Sequence, residues 1–307
     1  MKIVLPVAGN GLRLRPYTEN VPKCLLPVAG KTILDWIVED SLFLKPSETI
    51  FITGYKAEVI DEFLTRRQAW GAIRTVVQGN PQGLGEAISL SLPFVNDDEP
   101  LLIILGDTMF EADLSILQGA KDNILYTFKV ADPKRFGVAV TDPAGRIERL
   151  VEKPQEFVSD EAIVGIYYIR DVKALKESLR FLMENDIRTK NEFQLTDALE
   201  MMIKKGCRFR TAPVSKWLDC GLAETLLETN AHVLERTDNS SSVFAEGGKI
   251  IAPCHIGNNV KLVNCTIGPN VAIGDNAVVE NSTLKDVVVW DGVKICDKNL
   301  DGVIVHQ

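Results

Sequence analysis

The chain of 307 residues carries 42 acidic against 34 basic side chains, a formal charge of −8 at pH 7, with 46% apolar and 25% charged residues. Such an acidic surplus excludes nucleic acid as the expected partner, because too few cations remain to neutralise a phosphate backbone, whereas a small phosphorylated ligand needs only a local basic cluster. The length exceeds one ordinary core, so two domains are expected.

The first residues, Lys2-Ile3-Val4-Leu5, read as a strand and are broken by Pro6 and Gly9 before the apolar core of a signal peptide could form. No later stretch reaches the roughly 20 apolar residues that cross a bilayer, so a cytoplasmic protein with no membrane partner is expected. Apolar runs at 3–7, 50–53, 73–77 and 101–105 then alternate with helical patterns at 33–44, 57–67 and 85–92. This alternation predicts an α/β fold, a mostly parallel mixed sheet of Rossmann-like type covered on both faces. Ligands of such sheets bind beyond the carboxyl ends of the strands, where the loop after the first run and Asp107 both fall.

From residue 124 the pattern changes to strands joined by turns, with 141–146 a hairpin connection, a strand at 162–169, and helices at 172–183 and 195–204. A polar stretch at 236–242 reads as a linker. Beyond it Ile256-Gly257, Ile267-Gly268 and Ile273-Gly274 begin similar short repeats, the signature of hexapeptide coils. The expected domains are residues 1–236, the catalytic part, and 243–305, a left-handed parallel β-helix of three to four irregular coils. Unpaired strands at the ends of such a coil favour packing against a second copy, so a homo-oligomer is expected. Six cysteines lie scattered without Cys-x-x-Cys spacing, which predicts free thiols rather than zinc or disulfides.

The chemistry is concentrated in the loop after the first strand. Gly9 and Gly11 let backbone approach phosphate oxygens without a Cβ in the way, and Arg13, Arg15 and Lys23 set cations around the same turn. Gly9-x-Gly11-x-x-Leu14 lacks the third glycine of a dinucleotide fingerprint, and Gly30-Lys31-Thr32 has Leu25 where a P-loop needs glycine. A polyphosphate site of another kind is therefore expected.

The order of motifs is specific. Pro6-Val7-Ala8-Gly9-Asn10-Gly11-Leu12-Arg13, Pro22-Lys23-Cys24-Leu25-Leu26-Pro27-Val28, Gln78 with Gly83-Leu84-Gly85-Glu86-Ala87, Leu105-Gly106-Asp107, Phe136-Gly137-Val138, Val151-Glu152-Lys153-Pro154, Val164-Gly165-Ile166, Glu192-Phe193-Gln194-Leu195-Thr196-Asp197 and Trp217-Leu218-Asp219-Cys220-Gly221 follow in sequence. This set resembles the sugar-1-phosphate nucleotidylyltransferases, above all the glucose-1-phosphate thymidylyl- and uridylyltransferases.

The resemblance implies transfer of a nucleotidyl group from dTTP or UTP to a sugar 1-phosphate, glucose 1-phosphate first, with release of pyrophosphate. It places Arg13 and Lys23 as the catalytic cations, and Ala8, Gly9, Gly11, Gln78 and Gly83 on the nucleotide. Gly137, Glu152, Lys153, Gly165 and Lys190 fall on the sugar phosphate, and Asp107 and Asp219 on Mg²⁺. A sugar phosphate is already deprotonated at neutral pH, so no general base is needed. The obstacle is repulsion, about 4 kcal/mol per pair of unit charges near 4 Å at an effective dielectric of 20. One departure is Leu12, where the family has Thr; weakened or altered nucleotide binding is expected from the missing hydroxyl. Two alternatives accompany this reading. One is a non-catalytic regulatory or scaffold subunit that binds a nucleotide sugar. The other is a bifunctional enzyme whose β-helix also transfers an acyl group with His255 as base.

Overall fold

The computed structural model describes residues 1–242 and 245–306; residues 243 and 244, where the predicted β-helix domain begins, and residue 307 lie outside them. The chain gathers into two compact units, one of Met1–Gly9, Ile37–Gly106 and Phe110–Trp217, the other of Asn10–Trp36, Asp107–Met109 and Leu218–Gln307. These units do not follow the sequence boundary near 236, since Gly11, Asp107 and Asp219 group with the C-terminal coils while Gly9 stays with the sheet.

The first unit is built on a nine-stranded sheet whose main path runs Ile147–Glu152, Gly137–Thr141, Glu161–Ile169, Leu101–Ile104, Lys2–Pro6, Glu48–Thr53, Ile73–Val77. Lys2–Pro6 pairs in parallel with both Leu101–Ile104 and Glu48–Thr53, and Glu48–Thr53 in parallel with Ile73–Val77. The three central strands are fully buried through Ile3, Val4, Leu5, Ile50, Phe51, Ile52 and 101–104, the continuous apolar run that a strand covered on both faces requires. Glu161–Ile169 enters antiparallel and also pairs with Asn123–Lys129, which Phe209–Pro213 extends in parallel. Helices Leu84–Ser91, Val172–Glu184 and Leu195–Lys204 bury Ile88, Leu175, Leu179, Leu199 and Met202 in the core of this sheet.

Two elements differ from expectation. The helix predicted over 33–44 is Ile33–Glu39 followed by a separate 3-10 turn, Leu42–Leu44. The Ser41 hydroxyl donates to the Val38 carbonyl at 2.7 Å, and Lys45 takes a left-handed φ of 52°, which together stop the helix. A helix at Ala223–Thr237, absent from the sequence reading, follows Asp219 directly.

In the second unit the C-terminal strands form parallel ladders. Lys249–Ile250, Thr266–Ile267, Thr283–Val289 and Asn299–Val305 stack on one side, and Lys261–Val263, Val278–Glu280 and Lys294–Cys296 on another. Lys249 pairs with Thr266 and Thr266 with Thr283, a step of 17 residues; Thr283 pairs with Asn299, a step of 16. Inward residues Cys254, Ile267, Val271, Ile273, Val279, Leu284 and Val289 make an apolar core inside the coil. The corners are turned by Asn259, Asn264, Asn270, Asn276, Asn281, Asp286 and Asp297, all at positive φ, a conformation that Asn and Asp tolerate best after glycine. Their side chains bond from coil to coil: Asn264 donates to Asn281 at 3.4 Å, Asn281 to Asp297 at 3.1 Å, and Asn270 to Asp286 at 2.7 Å. Among the described residues no helix is long and apolar enough to cross a membrane.

Candidate active site

The second unit holds the charged cluster. Its loop turns at Gly11, with φ +56°, where a Cβ would meet Thr18 Cγ2 at 3.0 Å and Lys23 Cβ at 3.2 Å. Buried Thr18 fixes this turn, its hydroxyl donating to the Gly11 carbonyl at 2.9 Å. A 3-10 turn, Leu12–Leu14, follows; Leu14 goes into the core while Leu12, 56% exposed, and Arg13 face outward. A second 3-10 turn, Lys23–Leu25, buries Cys24 and Leu25 and leaves Lys23 as its polar member.

Lys23 Nζ donates to Asp107 Oδ2 at 2.9 Å. The ammonium side chain is 12% exposed and the carboxylate 51%, so the pair adds little to stability, and its value is in aiming a shielded cation. Asp219 closes the strand Lys216–Asp219, and its Oδ1 accepts the Gly221 N–H at 2.8 Å. A Cβ on Gly221 would lie 2.8 Å from Asp219 Oδ1 and 3.2 Å from Arg13 Nη2, so guanidinium and carboxylate flank the same glycine. Buried Cys220 lies in the field of Lys23, Asp219 and Asp107 together, and burial pushes its thiol up to about 12. Cys24, also buried, is pushed up to about 12 for the same reason. Arg13, Lys23, Asp107 and Asp219 thus converge within one unit around two neutral thiols.

The first unit holds the remaining residues singled out in the sequence. The Ala8 carbonyl accepts the Tyr55 N–H at 3.2 Å. A Cβ on Gly9 would meet nothing within 4 Å, so the protein's own packing does not demand glycine there. Gln78 is buried and its Nε2 donates to buried Glu86 Oε2 at 2.6 Å, which fixes the orientation of the amide. Gly83 has φ +119° and lies against the backbone of Phe193, a Cβ there meeting the Phe193 carbonyl at 2.6 Å. The Gly85 N–H donates to that carbonyl at 2.7 Å, and Phe193 N–H to Gln82 at 2.8 Å, so the motifs at 82–86 and 192–194 are zipped together.

A second group forms around Glu152. Thr196 Oγ1 donates to its Oε2 at 2.7 Å, Lys153 Nζ stands 3.4 Å from its Oε1, and a Cβ on Gly137 would touch both Glu152 Oε2 at 2.9 Å and Thr196 Oγ1 at 3.0 Å. Lys153 itself has φ 46°. Gly165 is accounted for by the sheet: its φ is +89°, a Cβ would meet Leu105 Cδ1 at 2.7 Å, and the ladder with Asn123–Lys129 shifts register between Ile163 and Tyr167. Lys190 stands exposed on a left-handed turn with φ 54°, without an ion pair among the described residues.

Sequence reasoning gave Glu86 and Thr196 no role, and took Thr18 only as part of the motif that carries the resemblance. Each lay inside a quoted motif or beside one, and only burial with a directed hydrogen bond distinguishes them. His255, the base required for acyl transfer, is packed against Gly30, where a Cβ would run into the imidazole ring.

Residues 2–236 match the family described as nucleotidyl transferase. The chain is 34% identical over 243 residues to a low-salt glycan biosynthesis nucleotidyltransferase of Haloferax volcanii, covering 76% of this chain and 66% of that protein. It is 28% identical over 320 residues to a glucose-1-phosphate thymidylyltransferase of Streptomyces griseus, covering 96% and 88%. With the bifunctional protein GlmU of Methanocaldococcus jannaschii it shares 32% over 245 residues, 77% of this chain but 55% of that one. The chain therefore spans only part of the first and third of these relatives. Among solved structures, a putative glucose-1-phosphate thymidylyltransferase from Bacillus anthracis in complex with a sucrose superposes with a TM-score of 0.64 at 27% identity, covering 76% of this chain and 94% of that one. A UDP-glucose pyrophosphorylase structure, at 23% identity and TM-score 0.65 over 76% of this chain and 98% of that one, shares the fold. With residues 2–236 of its 307 matched, the chain belongs to the nucleotidyl transferases.

Proposed function

We propose that the protein transfers a nucleotidyl group from dTTP or UTP to a sugar 1-phosphate, with glucose 1-phosphate the first candidate. The observation that carries this reading is the convergence of Arg13, Lys23, Asp107 and Asp219. The sugar phosphate oxygen attacks the α-phosphorus, the bond to the bridging oxygen breaks, and pyrophosphate leaves. Arg13 keeps its charge at every relevant pH and grips oxygens as negative charge moves towards the leaving group. Lys23, held at Asp107, offsets the charge of the α-phosphate. Backbone at Ala8, Gly9 and Gly11 faces the triphosphate.

Asp107 and Asp219 would hold one hard divalent cation. Two carboxylates are a donor set that fits Mg²⁺, an ion that keeps waters and takes phosphate oxygens beside one or two protein ligands. Bound there, Mg²⁺ supplies charge neutralisation of the phosphates.

Gln78 commits one N–H to Glu86, leaving its carbonyl oxygen and second N–H for the edge of uracil or thymine, beside Gly83. The two bases differ by one methyl group, worth about 1–3 kcal/mol, so both triphosphates should react. Glu152 and Lys153, with Gly137 and Gly165 near them in the motif order and Lys190 from the later turn, take the sugar phosphate. In this reading residues 1–236 are the nucleotidylyltransferase domain and 243–305 a hexapeptide β-helix that assembles copies of the chain in the cytoplasm.

A panel of four nucleoside triphosphates against several sugar 1-phosphates, read as pyrophosphate release and nucleotide sugar formed, tests this. Turnover with dTTP or UTP and glucose 1-phosphate is expected, and Asp107→Ala should abolish it. A wild-type protein silent across the panel, or an Asp107→Ala variant at full rate, would contradict the assignment.

A further inference from the structure

The segment that carries Lys23 is anchored far from its own position in sequence. After the turn Lys23–Leu25 the chain forms a hairpin, Val28 pairing with Lys31 and Pro27 with Thr32, so that Ala29 and Gly30 make its tip. Both tip residues have positive φ, 47° for Ala29 and 85° for Gly30. A left-handed alanine persists only where its surroundings hold it there. The holding group is Asn230, fully buried at 0% exposure, whose Oδ1 accepts the Ala29 N–H at 2.9 Å across 201 residues of sequence. Its Nδ2 donates to the carbonyl of Asn270, at a corner of the β-helix, at 3.2 Å. The ring of His255 fills the space against Gly30.

Asn230 lies on the helix Ala223–Thr237, which starts four residues after Asp219. On the same helix Thr229 Oγ1 reaches the Asp219 carbonyl at 3.5 Å. One end of the amide therefore restrains the hairpin that follows Lys23, and its helix begins beside the carboxylate of Asp219, which flanks Gly221 together with Arg13. Between Lys23 and the hairpin tip the chain has little freedom, with Cys24, Leu25, Leu26, Val28 and Ala29 all buried and the Ile33 N–H bonded to the Leu26 carbonyl at 3.1 Å. Trp36 Nε1 donates to the Val28 carbonyl at 2.9 Å, stiffening the hairpin further. Upstream, Tyr17 packs edge-on against His306 with ring centroids 5.0 Å apart, and His306 against Trp290 at 5.6 Å, so the last coil also holds the stretch that leads to Lys23.

We propose that Asn230 is a positioning residue, which sets Lys23 relative to Asp219 by clamping the Ala29–Gly30 tip between the helix Ala223–Thr237 and the β-helix corner at Asn270. The β-helix then belongs to the machinery of the reaction as well as to assembly. This rests on the reading of Lys23 and Asp219 as phosphate- and metal-holding groups.

The test compares Asn230→Ala, which removes both bonds, with Asn230→Asp, which keeps the acceptor for the Ala29 N–H. Asn230→Ala is expected to lower kcat about 10- to 100-fold while the KM of each substrate stays within about threefold, since misplacing a catalytic group by an ångström costs rate more than binding. Asn230→Asp should recover part of that loss. Amide hydrogen exchange should show lost protection confined to residues 22–32, with Glu48–Thr53 unchanged. If Asn230→Ala does not fold, Gly30→Ala drives a methyl group into His255 and should lower kcat, and adding His255→Ala should restore part of it. Unchanged kcat in Asn230→Ala, or native protection over 22–32, overturns the proposal. A wild-type protein without turnover on the substrate panel defeats the assigned reaction instead, and the exchange pattern alone then decides whether Asn230 clamps the segment.

Discussion

At the scale of single residues, the position of Leu12 separates chemistry from packing. It is 56% exposed on a 3-10 turn whose inward member is Leu14, so no packing reason holds a large apolar side chain there. Leu12→Thr should leave thermal stability within about 0.5 kcal/mol, as surface changes usually do. It should lower the nucleotide KM about 2- to 10-fold, the worth of one hydrogen bond of about 0.5–1.5 kcal/mol. An unchanged KM would mean that backbone donors already satisfy the phosphate at this point. Arg13, Lys23, Asp107 and Asp219, which the structure gathers in one unit, were legible in the sequence as charges inside recognisable motifs. Glu86, Thr196 and Asn230 were not, since a carboxylate, a hydroxyl or an amide inside a helix usually faces solvent. Only the fold reveals that these three are buried with their bonds aimed at Gln78, Glu152 and Ala29.

At the scale of elements, the alternation of apolar runs gave the central strands almost to the residue, because a strand buried on both faces must be continuously apolar. The end of the first helix was missed because Leu42, Phe43 and Leu44 continue a helical pattern that Ser41 and Lys45 interrupt through backbone geometry. In the β-helix, the Ile-Gly repeats marked three places, but the fuller signal is the series of Asn and Asp corners every five or six residues from Asn259 to Asp286, continued by Gly292 and Asp297. His255 sits inside this element, and burial holds its imidazole below the ordinary histidine range, with Asp275 opposing the shift. A lowered folded pKa means that the unfolded chain binds the proton more readily. The stabilisation is therefore complete above the unfolded value, near pH 6.5, and is lost as pH falls from there through the folded value. His255→Gln should flatten that part of the stability curve. Chemical denaturation from pH 5 to 8 measures it, and an identical slope in wild type and variant would remove His255 from the account.

At the scale of the whole molecule, the division into units says that sequence continuity and structural membership diverge. Residues 10–36 come early in the chain, yet they are compact with residues 218–307, which supply Asn230, His255, Asn270, Trp290 and His306. A chain ending at residue 236 keeps every residue of the matched family region, Asn230 included, but loses His255 at the hairpin tip, the Asn270 carbonyl that holds Asn230, and His306 beside Tyr17. It should retain the protected nine-stranded sheet and lose most of its turnover, measured as pyrophosphate release at saturating substrates. Full turnover by the truncated chain would confine the coils to assembly.

The change of step from 17 to 16 residues between successive coils has a mechanical consequence. The register puts the missing residue at one corner, between the pair Ile267–Leu284 and the pair Ala272–Val288, where the later coil runs straight through as the strand Thr283–Val289. A further layer that kept the earlier corner would fall out of step with this rim at that edge, which discourages strand-by-strand growth into a fibre.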